Sequence, residues 1–309
     1  TQQHSEVLGR KTDWKPGHQP LLRPAFLNSV LPRRWPALLS AAVACLLTLF
    51  LVAPAVSAAP VETTGPAKGS LVIVGGGTLV PEIIQRFVQL AGGPGANFVV
   101  FPTASADPID LEQVKQQFSK AFGVKNVTVL HTRDPKAANS AQFVAPLLRA
   151  NAVWFYGGRQ WRLDDAYLNT LTEREVKAVL ARGGVVGGSS AGATIQGSFL
   201  VRGSVKGNTI MIAARPSHRV GFGLLSNSAV DQHLIVRHRE NDLVPVIASH
   251  PALLGIGLDQ SAAIVVHGSE FTVIGVSKVA IYDNQMHDGK KYYFLSHGQK
   301  FNLAARKPE

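Results

Sequence analysis

Val185-Val186-Gly187-Gly188-Ser189-Ser190-Ala191-Gly192-Ala193 is a short β-rich run driven into a turn of small residues, with helix-forming positions after it. The spacing Gly188-x-Ser190-x-Gly192 fits a nucleophile elbow, in which a sharp strand-to-helix turn lifts a serine Oγ out of a sheet. Side chains two before and two after the serine would collide inside so tight a turn, so glycine is needed at both places. A glycine-rich turn with an incidental serine has the same five-residue pattern, so the context must decide. Gly183-Gly184 precede the strand and Ala191 to Gln196 can begin a helix, which favours the elbow.

Outward from this point the chain alternates strand and helix. Leu71–Val74, Phe98–Phe101, Val127–Leu130 and Val153–Tyr156 are continuous apolar runs. Between them, Pro81–Leu90, Leu111–Phe122, Ala141–Leu148 and Glu173–Leu180 carry helical apolar spacing. Strands that are apolar throughout argue for an α/β fold with a parallel sheet covered by helices on both faces. Functional sites in such sheets lie beyond the carboxyl ends of the strands, where Gly75–Gly77, Gly157–Gln160 and Ser190 all fall. Past the elbow a looser stretch runs to Leu225, followed by Val230-Asp231-Gln232-His233 and a helical pattern over Asn241–Ser249. Five closely spaced strand patterns between Leu254 and Leu295 then predict a C-terminal antiparallel β extension.

The first 58 residues differ in kind. Residues 1–31 are polar and aperiodic. Arg33-Arg34 lead into an uncharged run, Ala37–Ala53, that ends in Val56-Ser57-Ala58. A basic n-region, an apolar core and small residues at the last positions describe a secretory signal cleaved after Ala58, with an uncleaved membrane anchor as the second reading. Either places the folded part outside the cytoplasm. Residues 59–68 read as a linker and 69–309 as one folded domain.

Charge and cysteine content exclude several classes. Residues 1–58 hold six Lys/Arg and two Asp/Glu, leaving 25 against 18 in the body. That mild basicity, without a long basic run or interleaved aromatics, argues against nucleic acid and suits an acidic substrate. Cys45, the single cysteine, lies in the apolar run, so neither an intramolecular disulfide nor a cysteine metal site is available. No His or carboxylate spacing calls for a metal, and no cofactor motif is present.

A serine nucleophile needs a base, and the base needs a third group to fix its tautomer. Among ten histidines, His4 and His18 lie in the leader, whereas His233 ends a strand-like run and is followed by Arg237, His238 and Arg239. Such a patch suits a substrate carboxylate. It equally describes a solvated face.

Four motifs in order carry a resemblance: Gly157-Gly158-x-Gln160-x-Arg162-Leu163, Gly188-Ser189-Ser190-Ala191-Gly192-Ala193, Gly221-Phe222-Gly223-Leu224-Leu225 leading to Asp231-Gln232-His233 with Arg237-x-Arg239, and Leu254-Gly255-Ile256-Gly257-Leu258-Asp259. From about Gly69 to Val276 the chain resembles the cyanophycinase and aspartyl dipeptidase family of serine exopeptidases. The resemblance implies a fold like class I glutamine amidotransferases and a peptide or cyanophycin-like substrate with β-aspartyl bonds. By position it makes Ser190 the nucleophile and His233 the base, with Gln160, Arg237 and Arg239 on the substrate. The oxyanion hole would combine the N–H groups of Ala191 and Gly76. The family's acidic third member falls at Gln260, a neutral amide, with Asp259, Asp231 or Glu240 as alternatives. A further family arginine falls at about Asp242, which puts specificity for an arginine-bearing dipeptide in question. The expectation is a secreted serine exopeptidase acting on β-aspartyl or acidic peptides, with a catalytically degenerate peptide-binding member of the fold as the alternative. An α/β-hydrolase would carry its histidine near the chain end, and a glutamine amidotransferase would carry cysteine at the elbow. A homodimer is compatible with the sequence, which fixes no oligomeric state.

Overall fold

The run Ser70-Leu71-Val72-Ile73-Val74 forms strand β1, and every residue in it is buried. A strand apolar on both faces must be covered on both, so it takes the centre of a sheet. The computed structural model describes residues 62–309. The leader and signal or anchor read over residues 1–58, Cys45 within them, and the start of the linker lie outside the described residues.

Thirteen further strands follow: β2 (Asn97–Phe101), β3 (Asn126–Val129), β4 (Ala152–Phe155), β5 (Val185–Ser189), β6 (Gly197–Phe199), β7 (Leu225–Gln232), β8 (Leu254–Leu258), β9 (Ala262–His267), β10 (Glu270–Gly275), β11 (Val279–Tyr282), β12 (Tyr293–Leu295), β13 (Lys300–Asn302) and β14 (Lys307–Pro308). Among the described residues they make two sheets. The larger has the order β14-β13-β10-β9-β1-β5-β4-β2-β3. Its β1, β5, β4, β2 and β3 pair in parallel, as expected of strand-helix units, and β9 joins β1 antiparallel. The sheet is therefore mixed. The second has the order β12-β11-β8-β7-β6, with β6, β7 and β8 parallel and β11 and β12 antiparallel.

This refines the expected single sheet with an antiparallel extension. The C-terminal strands divide, β9, β10, β13 and β14 widening the first sheet while β8, β11 and β12 build the second. The partner strands β6 and β7 come from the stretch read as loose. β7 reads Leu-Ser-Asn-Ser-Ala-Val-Asp-Gln, whose polar first half hides the pattern.

Three apolar cores separate the layers. One face of the large sheet packs against helices Pro81–Leu90 and Leu111–Phe122, where Phe87 and Phe122 meet Trp154 edge-on and Phe118 stacks on Phe122. Asp110 caps the second of these by accepting from Gln113 N, and Gly123 ends it in the left-handed conformation. The other face packs against Leu163, Tyr167, Val176 and Val179 of helices Trp161–Tyr167 and Leu171–Ala181. It also meets Leu254, Ile256 and Val279 of the second sheet. Helix Leu243–Ser249 covers the outer face of that second sheet. The helix expected over Ala141–Leu148 is instead a turn of α-helix followed by a 3-10 turn, the change falling at Ala145-Pro146.

The segment read as a linker is tied down where it is described. Thr63 is fully buried, Thr64 pairs with Ser226, and Gly65 and Pro66 bond to Gly268. No helix among the described residues is long and apolar enough to cross a membrane.

Candidate active site

Strand β5 delivers Ser190 into a backbone conformation that costs energy, with φ 58° and ψ −115°. A side chain held in that sparsely populated region is strained by about 1–3 kcal/mol. The surroundings enforce it: Ser190 N donates to Val74 O at 3.0 Å, and helix Ala191–Thr194 begins immediately. Both elbow glycines are in tight quarters. A Cβ on Gly188 would stand 2.3 Å from Gly192 O, and one on Gly192 would stand 2.1 Å from Phe155 O.

His233 follows β7, also with positive φ (53°), and its N–H donates to Gly75 O at 2.9 Å. β7 lies in the second sheet and β5 in the first, so the ring is brought to Ser190 across the junction between them. Ser190 Oγ and His233 Nε2 are 2.9 Å apart, within hydrogen-bond reach. On the other side of the ring, Gln260 Nε2 lies 2.7 Å from His233 Nδ1. Gln260 sits in the β8–β9 turn, pinned by Ser261 N donating to Gly76 O. Gly75–Gly77 thus packs against both His233 and Gln260. A Cβ on Gly76, whose φ is +115°, would stand 2.3 Å from His233 Cε1, and one on Gly77 would stand 2.8 Å from Gln260 Oε1.

Burial lowers the His233 pKa to about 4, with further lowering from the charges of Arg237 and Arg239 and partial opposition from Asp259. The imidazole is therefore neutral at pH 7 and able to accept a proton. Its tautomer depends on Gln260. With the amide Nε2 against Nδ1, the ring proton sits on Nε2 and faces Ser190. A half-turn of the amide puts Oε1 against Nδ1, moves the ring proton there, and leaves Nε2 free to accept from the serine hydroxyl.

None of the three carboxylates weighed as substitutes reaches the ring. Asp259 accepts from Ile235 N, Val236 N and Ser277 Oγ, holding the turn after His233. Asp231 is fully buried and forms a two-bond ion pair with Arg202, at 2.7 and 2.8 Å. Glu240 contributes its carbonyl to Tyr282. Asp242, at the position of the expected arginine, completes the Arg202 ion triad at 2.6 Å. Sequence reasoning missed Arg202 altogether, because an isolated arginine in an irregular stretch carries no pattern.

The remaining expected residues divide. Arg237 is exposed one turn beyond His233, its N–H donating to His233 O. Arg239 is 7% exposed and spends one guanidinium nitrogen on Gln232 O and Oε1. Gln160 is 2% exposed and donates to Val201 O at 2.9 Å, so it ties the loop after β4 to that after β6. The N–H groups of Ala191 and Gly76 donate to no protein acceptor among the described residues.

Away from this site, Asp164, Asp165 and His218 bring three metal-capable atoms within 4.8 Å of one another. Arg215 stands 3.4 Å from Asp165 and 3.3 Å from His218, placing a cation there already.

The model of the family described as Peptidase family S51 matches residues 71–274. The cyanophycinase of Geminocystis herdmanii is 28% identical over 262 residues, covering 78% of this chain and 96% of its own. That of a Nostoc species is 28% identical over 267 residues, covering 79% and 89%. The crystal structure of a peptidase from an acI-B1 actinobacterium shares the fold, with a TM-score of 0.57 at 24% identity, over 77% of this chain and 98% of that one.

Proposed function

Since the chain belongs to peptidase family S51 and is a serine-type peptidase, we propose that Ser190, His233 and Gln260 are its catalytic residues and that it removes β-aspartyl or other acidic units from peptides. The observation that carries the reading is the 2.9 Å approach of His233 Nε2 to a serine raised on a strained elbow.

In this reading Ser190 Oγ attacks the scissile carbonyl while His233 Nε2 takes its proton. Gln260 Oε1 accepts from Nδ1–H and holds the ring in that tautomer. The oxyanion is met by the N–H groups of Ala191 and Gly76, whose donors have no protein acceptor to give up. The imidazolium then protonates the departing amine, leaving an acyl-enzyme. Water, deprotonated by the same nitrogen, releases the acid and regenerates Ser190.

A β-linked aspartyl residue presents a free carboxylate beside the scissile carbonyl. Arg237, exposed next to His233, is placed to receive it. Arg239 has less to offer, since its guanidinium already serves Gln232. The basic leader with its small-residue cleavage pattern supports action outside the cytoplasm. A base that stays neutral down to about pH 4 suits acidic surroundings as well as neutral ones.

The test combines a fluorophosphonate probe with hydrolysis of β-aspartyl dipeptides beside α-linked controls. Labelling of the wild type but not of Ser190→Ala, with cleavage confined to acidic or β-linked substrates, is expected. A wild type that neither labels nor turns over would identify a peptide-binding protein with the fold of a peptidase.

A further inference from the structure

Three guanidinium groups crowd the rim of the large sheet on the side of Ser190 away from His233. The loop after β4 passes directly beneath the serine, since a Cβ on Gly157 would stand 3.1 Å from Ser190 Cβ. Two residues on, Arg159 N donates to Ala104 O at 2.8 Å, joining this loop to the one after β2. Arg162 donates to the same carbonyl at 3.0 Å, and its guanidinium lies 5.3 Å above the Trp161 ring. Arg133, in the loop after β3, donates to Ser105 O at 2.7 Å. The C-terminal loops of β4, β2 and β3 are therefore laced together by arginines.

The charge is poorly compensated. Asp107 is the one carboxylate paired with any of the three among the described residues; it is exposed, binds Arg133 and is shared with His131. Arg159 and Arg162 have no acidic partner there. Arg133 Nη1 is buried with no hydrogen-bond partner. Burial, and then repulsion from Arg133, weaken the hold of Arg162 on its proton; Asp107 opposes this in part and Arg159 adds to it. Arg159 also reaches Ser204 O at 3.0 Å, so its side chain bridges toward the loop after β6 and walls the rim. Three like charges assembled at a lip with one exposed carboxylate between them favour an anion arriving from solution.

We propose that Arg159, with Arg162 and Arg133 behind it, forms a second anion subsite that selects an acidic residue on the side of the scissile bond opposite Arg237. The inference rests on the peptidase reading above and narrows its substrate to peptides with two carboxylates flanking the cleaved bond. A residue bearing a cationic side chain is rejected at that place by the same three charges. Asp242 cannot receive it instead, because its carboxylate is held by Arg202.

The experiment uses β-aspartyl dipeptides with Glu, Ala or Lys as the second residue, assayed on the wild type, Arg159→Ala, Arg159→Lys and Arg159→Glu. The wild type is expected to prefer Glu to Lys by about ten-fold or more in kcat/KM. Arg159→Lys should keep that ratio's direction, Arg159→Ala should flatten it, and Arg159→Glu should invert it. Binding of the uncleaved dipeptides to Ser190→Ala, with and without Arg159→Glu, is measured by calorimetry at two salt concentrations. A Glu preference in binding that vanishes with Arg159→Glu supports the subsite even if no β-aspartyl bond is cleaved. Turnover with the same Glu-to-Lys ratio in all four proteins overturns the subsite and leaves the peptidase reading standing. Failure of Ser190→Ala to distinguish Glu from Lys overturns it too.

Discussion

Gln260 occupies the position beside His233 Nδ1, 2.7 Å away, that a carboxylate would need in order to neutralise the imidazolium formed during proton transfer. A neutral amide can choose the tautomer but supplies no charge. No other carboxylate touches the ring, since Asp259, Asp231 and Asp242 are each committed to other donors, and Asp259 opposes the fall in the His233 pKa only in part. The proposed base therefore has a pKa lowered to about 4, and its charged form has no directly bonded carboxylate.

Gln260→Glu should therefore accelerate the reaction. The reverse exchange, acid to amide, costs ~10⁴-fold in a well-studied triad, where it also fixes the wrong tautomer. Here the gain in kcat is expected to be about ten-fold or more, because a carboxylate accepts from Nδ1–H in either orientation. Gln260→Ala should lose activity, as the ring would then have no orienting partner. Steady-state kinetics on all three proteins decide it, and no gain from Gln260→Glu would mean that the amide is already optimal.

The acid limb of kcat/KM is expected near pH 4. His233 must be neutral to act, so activity falls as pH drops through the folded-state pKa of about 4. Gln260→Glu should move that limb upward, toward the ordinary imidazole range. Stability shares the sign. The unfolded imidazole takes a proton near pH 6.5 whereas the folded one resists until about 4, so this residue makes the fold more stable as pH rises across that window. His233→Gln should weaken the dependence, as urea titrations at pH 4.5 and 7 would register.

The elbow was legible because its requirement is steric. Gly188 and Gly192 sit against backbone carbonyls, and such contacts leave a fixed spacing in the chain. The parallel strands were legible because burial on both faces makes them apolar throughout. β7 was not, since Ser226, Asn227 and Ser228 spend their side chains on carbonyls and hydroxyls at its start and break the alternation. Arg202 was hidden for a related reason: its partners lie 29 and 40 residues away, and ion pairing at such separations has no period. Gln260 came from resemblance alone. Its contact with the ring depends on how the β8–β9 turn meets Gly76 and Gly77, which no local rule expresses.

Gly76→Ala should inactivate the protein while leaving most of its stability. The new Cβ would meet His233 Cε1 at 2.3 Å, from a backbone at φ +115° that alanine rarely adopts. The cheapest relief is to push the ring away from Ser190. Loss of fluorophosphonate labelling with a melting temperature within a few degrees of wild type is the expected pair of results. Retained labelling would mean that the glycine strip is not packed on the ring.

Asp164 makes the opposite prediction to His233. Burial raises its pKa to about 7, with Asp165 and Glu173 adding and Arg215 opposing, and its Oδ2 has no hydrogen-bond partner. The folded state keeps a proton on this carboxyl that the unfolded chain releases near pH 4. Its contribution is therefore present at low pH and lost as pH rises through about 7. Asp164→Asn cannot ionise, so relative to wild type it should gain stability as pH rises from about 4 to about 7, readable as a difference in thermal unfolding midpoint that grows across that window and levels off above it. A flat difference would show that the carboxyl finds a counter-charge when ionised.

Arg202→Met tests what holds the strand that presents His233. Arg202 is 1% exposed and Asp231 is fully buried. Removing the cation strands a carboxylate in the core, two residues before the histidine, and breaking such a pair costs about 3–5 kcal/mol. Replacing Asp231 by Asn at the same time removes the orphaned charge, so Arg202→Met with Asp231→Asn should recover part of that stability in urea unfolding. Activity should recover less, because the two-bond pair also fixes where β7 ends and the exposed half of Asp242 loses its tether. Equal destabilisation of the single and double variants would mean that packing around the Arg202 stem, and not the buried charge, is what the triad supplies.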